Sequence, residues 1–241
     1  SNSDVGTHNI ILSAHDEFNS LTSQSFVLTV SDSTPPIIES VVANWGSVLN
    51  GTEDNSDGTI NIVTSNIETG QVVKVGLNGR IYTASIDTAI PADHANPTVS
   101  ITISAADLQS LSDGGSYSLT ADVNDAAGNA AAQHISTSFV VDVTAPTLST
   151  ISTDTFSGLS GFTEIGATIS VVMTDPSGTD SSLSTTSNAT TGAWNITSAD
   201  ILGSEITSDD DGTYAFSITA TDTAGNTSNA STASLEGDLP A

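Results

Sequence analysis

Three stretches of this 241-residue chain end an alternating run on an acidic residue: Asp16 in IILSAHDEFNSL, Asp125 in SLTADVNDAAGNAA and Asp222 in SITATDTAGNTS. A glycine stands ten residues ahead of each, at Gly6, Gly115 and Gly212. Fixed internal spacing of this kind marks a repeated unit. Two further acidic positions recur. Asp32 and Asp142 each open an Asp-x-Thr-x-Pro signal, 110 residues apart, and Glu68 and Glu164 each open a Glu-x-Gly signal, 96 residues apart. Carboxylates gathered without His or Cys offer only hard oxygen ligands, which select calcium or magnesium, and several carboxylates with backbone carbonyls favour calcium. The competing reading of each aspartate is local: Asp and Asn stabilise turns through bonds to nearby backbone, and Gly128 and Gly225 supply positive φ.

Charge supports the first reading. The chain has 28 acidic residues against Lys74 and Arg80 alone, a net charge of −26. Phosphate binding needs a basic footprint, so nucleic acid is excluded as a partner, and anionic membrane surfaces are excluded for the same reason. Self-repulsion of this size opposes compaction. Two basic residues cannot offset it, which leaves high salt or bound cations. The absence of cysteine removes disulfide staples and thiolate metal sites. No run of 18 apolar residues exists, so no membrane insertion is expected in this segment. The beginning, SNSDVGT, reads as a cut from a longer protein.

Other chemistry finds little footing. His8, His15, His94 and His134 show no paired ligand spacing, and there is no G-x-S-x-G elbow or phosphate-cradling glycine loop. No enzyme activity is expected. EDNSDG (53–58) resembles the start of an EF-hand loop, but Thr64 stands where the acidic twelfth position belongs, leaving an acidic loop able to bind calcium loosely. DPSGTDSS (175–182) has loop composition. Trp194, in the alternating GAWNITS, is expected in the core rather than stacked on a sugar.

The elements that must hold these residues are strands. TVSITIS (98–104) places Val99, Ile101 and Ile103 on one face, YAFSITA (214–220) does so with Tyr214, Phe216, Ile218 and Ala220, and YSLTADV (117–123) with Tyr117, Leu119, Ala121 and Val123. Period two with polar partners predicts half-buried antiparallel strands. Short helical turns are expected at AADLQSL (105–111) and SADILGS (198–204). Each full unit has about seven short strands, the pattern of an immunoglobulin-like sandwich, with Tyr117 and Tyr214 placed to form tyrosine corners. The expected fold class is all-β, with tandem immunoglobulin-like β-sandwiches arranged end to end. The boundaries predicted are 1–31, the C-terminal strands of a partial domain, then full sandwiches over 32–143 and 144–241.

The motifs DVTAPT, DGTYAFSITATDTAGN, GAWNITSADI and the Glu-x-Gly opener resemble bacterial Ig-like repeats, the extender repeats of large calcium-dependent, type I-secreted (RTX) adhesins. The resemblance covers residues 34–236, and 1–33 more weakly; DEFNSL lacks the Ala-Gly-Asn of the other copies. It implies a β-sandwich, calcium at domain junctions and a stalk role in adhesion and biofilm at the bacterial cell surface.

Following the strands of such a sandwich brings Asp32, Glu68 and Asp125 to one end of the second domain, and Asp142, Glu164 and Asp222 to the same end of the third. These are the expected calcium ligands, with Asp4 and Asp113 as additions from turns facing the next domain. The expected function is a calcium-stiffened extender of an extracellular adhesin, monomeric, with neighbouring Ig-like domains of the same chain as partners. The alternative is a sugar- or peptide-binding module, or the accessory Ig-like region of an extracellular enzyme.

Overall fold

The computed structural model describes residues 5–86, 96–154, 158–202 and 212–237. The strands, in chain order, are β1 Gly6–His15, β2 Leu21–Val30, β3 Ile37–Ala43, β4 Val48–Asn50, β5 Gly58–Ser65, β6 Val72–Leu77, β7 Arg80–Ser85 and β8 Thr98–Ile103. The helical turn α1 Ala105–Leu108 follows, then β9 Ser116–Tyr117, β10 Thr120–Asp122, β11 His134–Ile135, β12 Phe139–Asp142, β13 Ser149–Asp154, β14 Gly158–Phe162, β15 Thr168–Thr174, β16 Asp180–Thr186 and β17 Ala193–Thr197. The turn α2 Ser198–Leu202, β18 Gly212–Thr221 and β19 Ser231–Gly237 complete the chain. The chain folds into two compact units. One holds Ser1–Asn44, Thr59–Ile103 and Ser118–Ser138; the other holds Trp45–Gly58, Ser104–Tyr117 and Phe139–Ala241.

In the first unit, β3-β5-β8 form one sheet and β11-β10-β6-β7 another. Period two decides their faces: Ile60 and Ile62 of β5, Val73 and Val75 of β6, and Val99, Ile101 and Ile103 of β8 are buried while their neighbours along each strand are not. A third sheet, β1-β2, is a two-stranded ladder running unbroken from Gly6↔Val30 to His15↔Leu21. Its residues His8, Ile10, Leu12, Phe26, Leu28 and Val30 share one face by register, yet Leu12, Phe26 and Leu28 remain 62%, 47% and 47% exposed.

The second unit contains β4-β12-β9, β13-β14-β17 and β16-β15-β18-β19. The last two sheets face each other across one core. Leu159, Trp194 and Ile196 from one meet Ile169, Val171, Met173, Tyr214, Phe216 and Ile218 from the other. This is a β-sandwich, and Trp194, 3% exposed, lies in its core as expected. In the smaller sheet β12 runs parallel to β4 and antiparallel to β9. Phe139 packs edge-on against Trp45, ring centroids 5.4 Å apart, and tilted against Tyr117 at 6.0 Å. The Tyr117 hydroxyl accepts the Ser112 N–H at 2.9 Å, the bond that defines a tyrosine corner. Tyr214 is buried, but the residues five positions before it lie outside the described ones.

One strand differs from expectation. YSLTADV is not continuous: Ser116–Tyr117 pairs with β12, whereas Thr120–Asp122 pairs with β6 and β11. At the break the Leu119 N–H donates to the Ser136 hydroxyl at 2.9 Å, and the Ser136 N–H donates back to the Leu119 carbonyl at 2.9 Å. A side chain thus takes the place of a ladder partner.

Candidate functional site

Each recurrent aspartate opens the same five-residue turn. The Asp125 N–H donates to the Asn129 carbonyl at 3.0 Å, and the Gly128 N–H, at φ 93°, donates to the Asp125 carbonyl at 3.2 Å. Asp222 repeats this with Asn226 at 3.0 Å and with Gly225, at φ 98°, at 3.3 Å. In the turn at Asp16, Asn19 takes the left-handed position at φ 63°, replacing the missing glycine, since Asn tolerates that region. In all three, one carboxylate oxygen accepts the backbone N–H four residues on, at 2.8 Å for Asp16, 2.7 Å for Asp125 and 2.8 Å for Asp222. The local reading of the aspartate is therefore part of its role. DPSGT at 175–179 makes the same turn, with Asp175 accepting the Thr179 N–H at 2.7 Å; its Asp-x-x-Gly spacing was the signal that loop composition hid.

The other carboxylate oxygen separates Asp125 and Asp222 from the simpler turns. Around Asp125 it accepts the side-chain amide of Asn129 at 2.7 Å, and that amide also donates to the Asp32 carbonyl at 3.1 Å. Glu68 accepts the Ala126 N–H at 3.3 Å. The three expected residues of the first site thus meet one turn, Asp32 through its carbonyl; an Asp32 carboxylate oxygen accepts the Thr34 N–H at 2.8 Å. Burial opposes charge on Asp125, but the bonds from Asn129, Gly128 and Ala127 outweigh it and hold its carboxyl below the usual range.

The second site is more crowded. The Asn226 side-chain amide donates to Asp222 at 2.9 Å, to the Asp142 carbonyl at 2.8 Å and to the Asp142 carboxylate at 3.3 Å. Its oxygen accepts the Gly51 N–H at 2.7 Å, and the Asn50 amide donates to the Ala224 carbonyl at 3.0 Å. Asp113 accepts the Val143 N–H at 3.0 Å and the Thr144 hydroxyl. The Thr144 hydroxyl and the Val143 N–H hold the Asp113 carboxyl below its ordinary value. Asp142 goes the other way: burial, then the charges of Asp222 and Asp113, push it up. Glu164 is exposed but is also raised, by partial desolvation and by the charges of Asp222 and Asp142. Asp142, Glu164 and Asp222 therefore share one electrostatic neighbourhood, with Asp113 beside Asp142. Among the described residues no three His, Asp or Glu side chains stand as a ready-made ligand set for an ion. Asp4, and most of the DDDG turn at 209–212, lie outside the described residues.

The donor chemistry suits calcium: only oxygens, from three stretches far apart in sequence, with carboxylates that repel one another. The acidic loop 53–58 is largely engaged with residues outside it. Glu53 accepts the Asn50 N–H at 3.1 Å, Asp57 accepts the Ala105 N–H at 2.9 Å, and Asn55 accepts the Gln109 amide at 3.0 Å. Sequence reasoning missed Asn129, Asn226, Asn50 and Gly51. The Asn of Ala-Gly-Asn was visible at fixed spacing, but its partners come from distant stretches.

The sequence matches the bacterial Ig-like domain (group 3) family twice, over residues 1–133 and 104–235. The chain belongs to this family, and its fold class is the expected one, all-β with tandem Ig-like domains. No curated protein matches the sequence. Among solved structures it is similar to a calcium-stabilised adhesin that helps an Antarctic bacterium reach out and bind ice, at 20% identity and TM-score 0.45. That match covers 96% of this chain and 56% of that one, so the chain spans little more than half its length. It is also similar to a 1.5-MDa bacterial ice-binding adhesin (21% identity, TM-score 0.47, 95% of this chain and 73% of that one). A tetra-tandem repeat from the extending region of a large adhesion protein matches at 22% identity and TM-score 0.36, over 97% of this chain and 57% of that one.

Proposed function

We propose that this chain is a structural, non-catalytic extender segment of a bacterial cell-surface adhesin, and that calcium at its two acidic turns stiffens it. On this reading residues 32–143 and 144–241 are two Ig-like domains, and residues 1–31 are the closing hairpin of another. The hairpin reading is supported by its internal likeness to β18: His8, Ile10 and Leu12 stand where Tyr214, Phe216 and Ile218 stand, counted from Gly6 and Gly212. Asp32, Glu68 and Asp125 hold one ion, and Asp142, Glu164 and Asp222 the other, with Asp4 and Asp113 as outlying ligands. The ion neutralises mutual repulsion and ties each linker to the turn beside it.

The observation that carries the calcium reading is the convergence of the Asp142 and Asp222 carboxylates on one Asn226 amide; burial, and then neighbouring carboxylates, raise the proton affinity of Asp142 and Glu164 there. Groups that favour a proton because of nearby negative charge favour a divalent cation more strongly. Family membership supports the extender reading. The sugar-stacking alternative loses its simplest platform, because Trp45 and Trp194 are 5% and 3% exposed.

Calorimetric titration with calcium, and thermal melts with millimolar calcium or EDTA, test the metal reading. A bound ion stabilises by RT ln(1 + [Ca]/Kd), about 2.7 kcal/mol at a hundredfold excess. D142N/E164Q should lose most of that increment, and small-angle scattering should show greater maximum dimension and less flexibility with calcium. No calcium uptake and identical melts would defeat it.

A further inference from the structure

Four copies of one turn separate what makes the turn from what else its last residue does. Position five is Ser20 after Asp16, Thr179 after Asp175, Asn129 after Asp125 and Asn226 after Asp222. In every copy the aspartate accepts the backbone N–H of that residue, and the aspartate N–H donates to its carbonyl. Serine and threonine serve equally well, so the turn does not need asparagine. Among the described residues it is the two Asn copies that reach a linker: the Asn129 amide donates to the Asp32 carbonyl and the Asn226 amide to the Asp142 carbonyl.

Asn226 goes further. It is 5% exposed and has both ends engaged. Its amino group faces three acceptors, the Asp222 carboxylate and the carbonyl and carboxylate of Asp142, and its oxygen faces the Gly51 N–H. Only one orientation fits, because reversing the amide would set an oxygen against three oxygens. Asp142 ends β12 and Gly51 follows β4, both in the small sheet, whereas Asn226 follows β18 in the large one. One neutral side chain joins the two sheets and brings positive N–H dipoles between two carboxylates.

We propose that Asn226 is a metal-independent latch, a positioning residue that ties the linker at Asp142 and the loop at Gly51 to the Asp222 turn, with Asn129 making the smaller version at Asp32. Without cation the carboxylates around Asp142 are then held in place instead of driving the sheets apart. The latch does not rest on calcium, and every measurement below is made in EDTA, so either idea can fail alone.

The test is amide hydrogen exchange by NMR on the full chain. In the wild type the Gly51 N–H should be protected. N226S keeps the turn, as Ser20 does, and should expose the Gly51 amide to at least about tenfold faster exchange, as expected for loss of its hydrogen bond. The Asp222 N–H should stay protected in the same variant, and N129S should leave Gly51 unchanged. Retained Gly51 protection in N226S overturns the latch, as does equal loss at Gly51 in N129S. If N226S does not fold, the wild type decides: a Gly51 amide exchanging at the free-peptide rate overturns the proposal.

Discussion

Aspartates in different places, one in a turn and one at the end of a strand, acquire opposite acidities from their surroundings. The Asp175 carboxyl is held below the ordinary range by the Ser177 hydroxyl and the Thr179 N–H. A depressed native value means its stabilising contribution is present above the unfolded value near 3.9 and is lost as pH falls through the lower native one. Asp142 is raised, so its contribution has the reverse sign: present below the unfolded value, and lost as pH rises through the higher native value. In chelator, NMR titration of side-chain carboxyl carbons should therefore show Asp142 protonating at higher pH than Asp175. The opposite order would mean that burial and the charges of Asp222 and Asp113 do not raise Asp142. The carboxylates were legible in the sequence because their spacing repeats. The Asn226 contacts were not, because Gly51 lies 175 residues away and only the folded chain makes them neighbours.

Strands were the most legible elements, since alternation of apolar and polar side chains fixes both type and buried face. The break in YSLTADV was not, because it turns on Ser136, a residue with no periodic signature. The tyrosine corner was readable from Tyr117 after SDGGS, and the structure shows why Gly115 belongs there: a Cβ would stand 2.7 Å from both the Ser112 carbonyl and the Tyr117 ring. Tyr117→Phe keeps the ring contact with Phe139 and removes only the bond to Ser112. It should cost about 1 kcal/mol in urea unfolding. An unchanged midpoint would show that water replaces Ser112 at no cost. Gly192, at φ 70°, closes the turn before β17, and a Cβ there would lie 2.1 Å from the Thr163 carbonyl. Gly192→Ala should cost more than the roughly 1–3 kcal/mol of backbone strain alone, because backbone must move as well. A loss below about 1 kcal/mol would show that this turn relaxes freely.

Across the whole chain, stability should be uneven. An isolated two-stranded ribbon is marginal in water, and β1-β2 buries little of its apolar face. Its amides should exchange faster than those of β15 and β18, which pair with each other inside a four-stranded sheet. Comparable protection would mean that something covers the ribbon in solution. Repetition made the tandem arrangement of Ig-like domains legible.

The same ribbon has a colloidal consequence. Neither β1 nor β2 contains an Asp, Glu, Lys or Arg, so nothing along the strands themselves discourages a second ribbon from adding edge to edge. What keeps copies apart is the long-range repulsion of a chain carrying −26 charges. That repulsion reaches about 10 Å at 0.1 M salt and only about 3 Å at 1 M. Light scattering should show one chain per particle in dilute buffer and a concentration-dependent rise in mass at molar salt. F26K/L28K should abolish the rise by charging the exposed face. Solubility in this chain is thus an ionic-strength-dependent truce between a charged body and an uncharged edge, and agents that neutralise the body bring the edge into play.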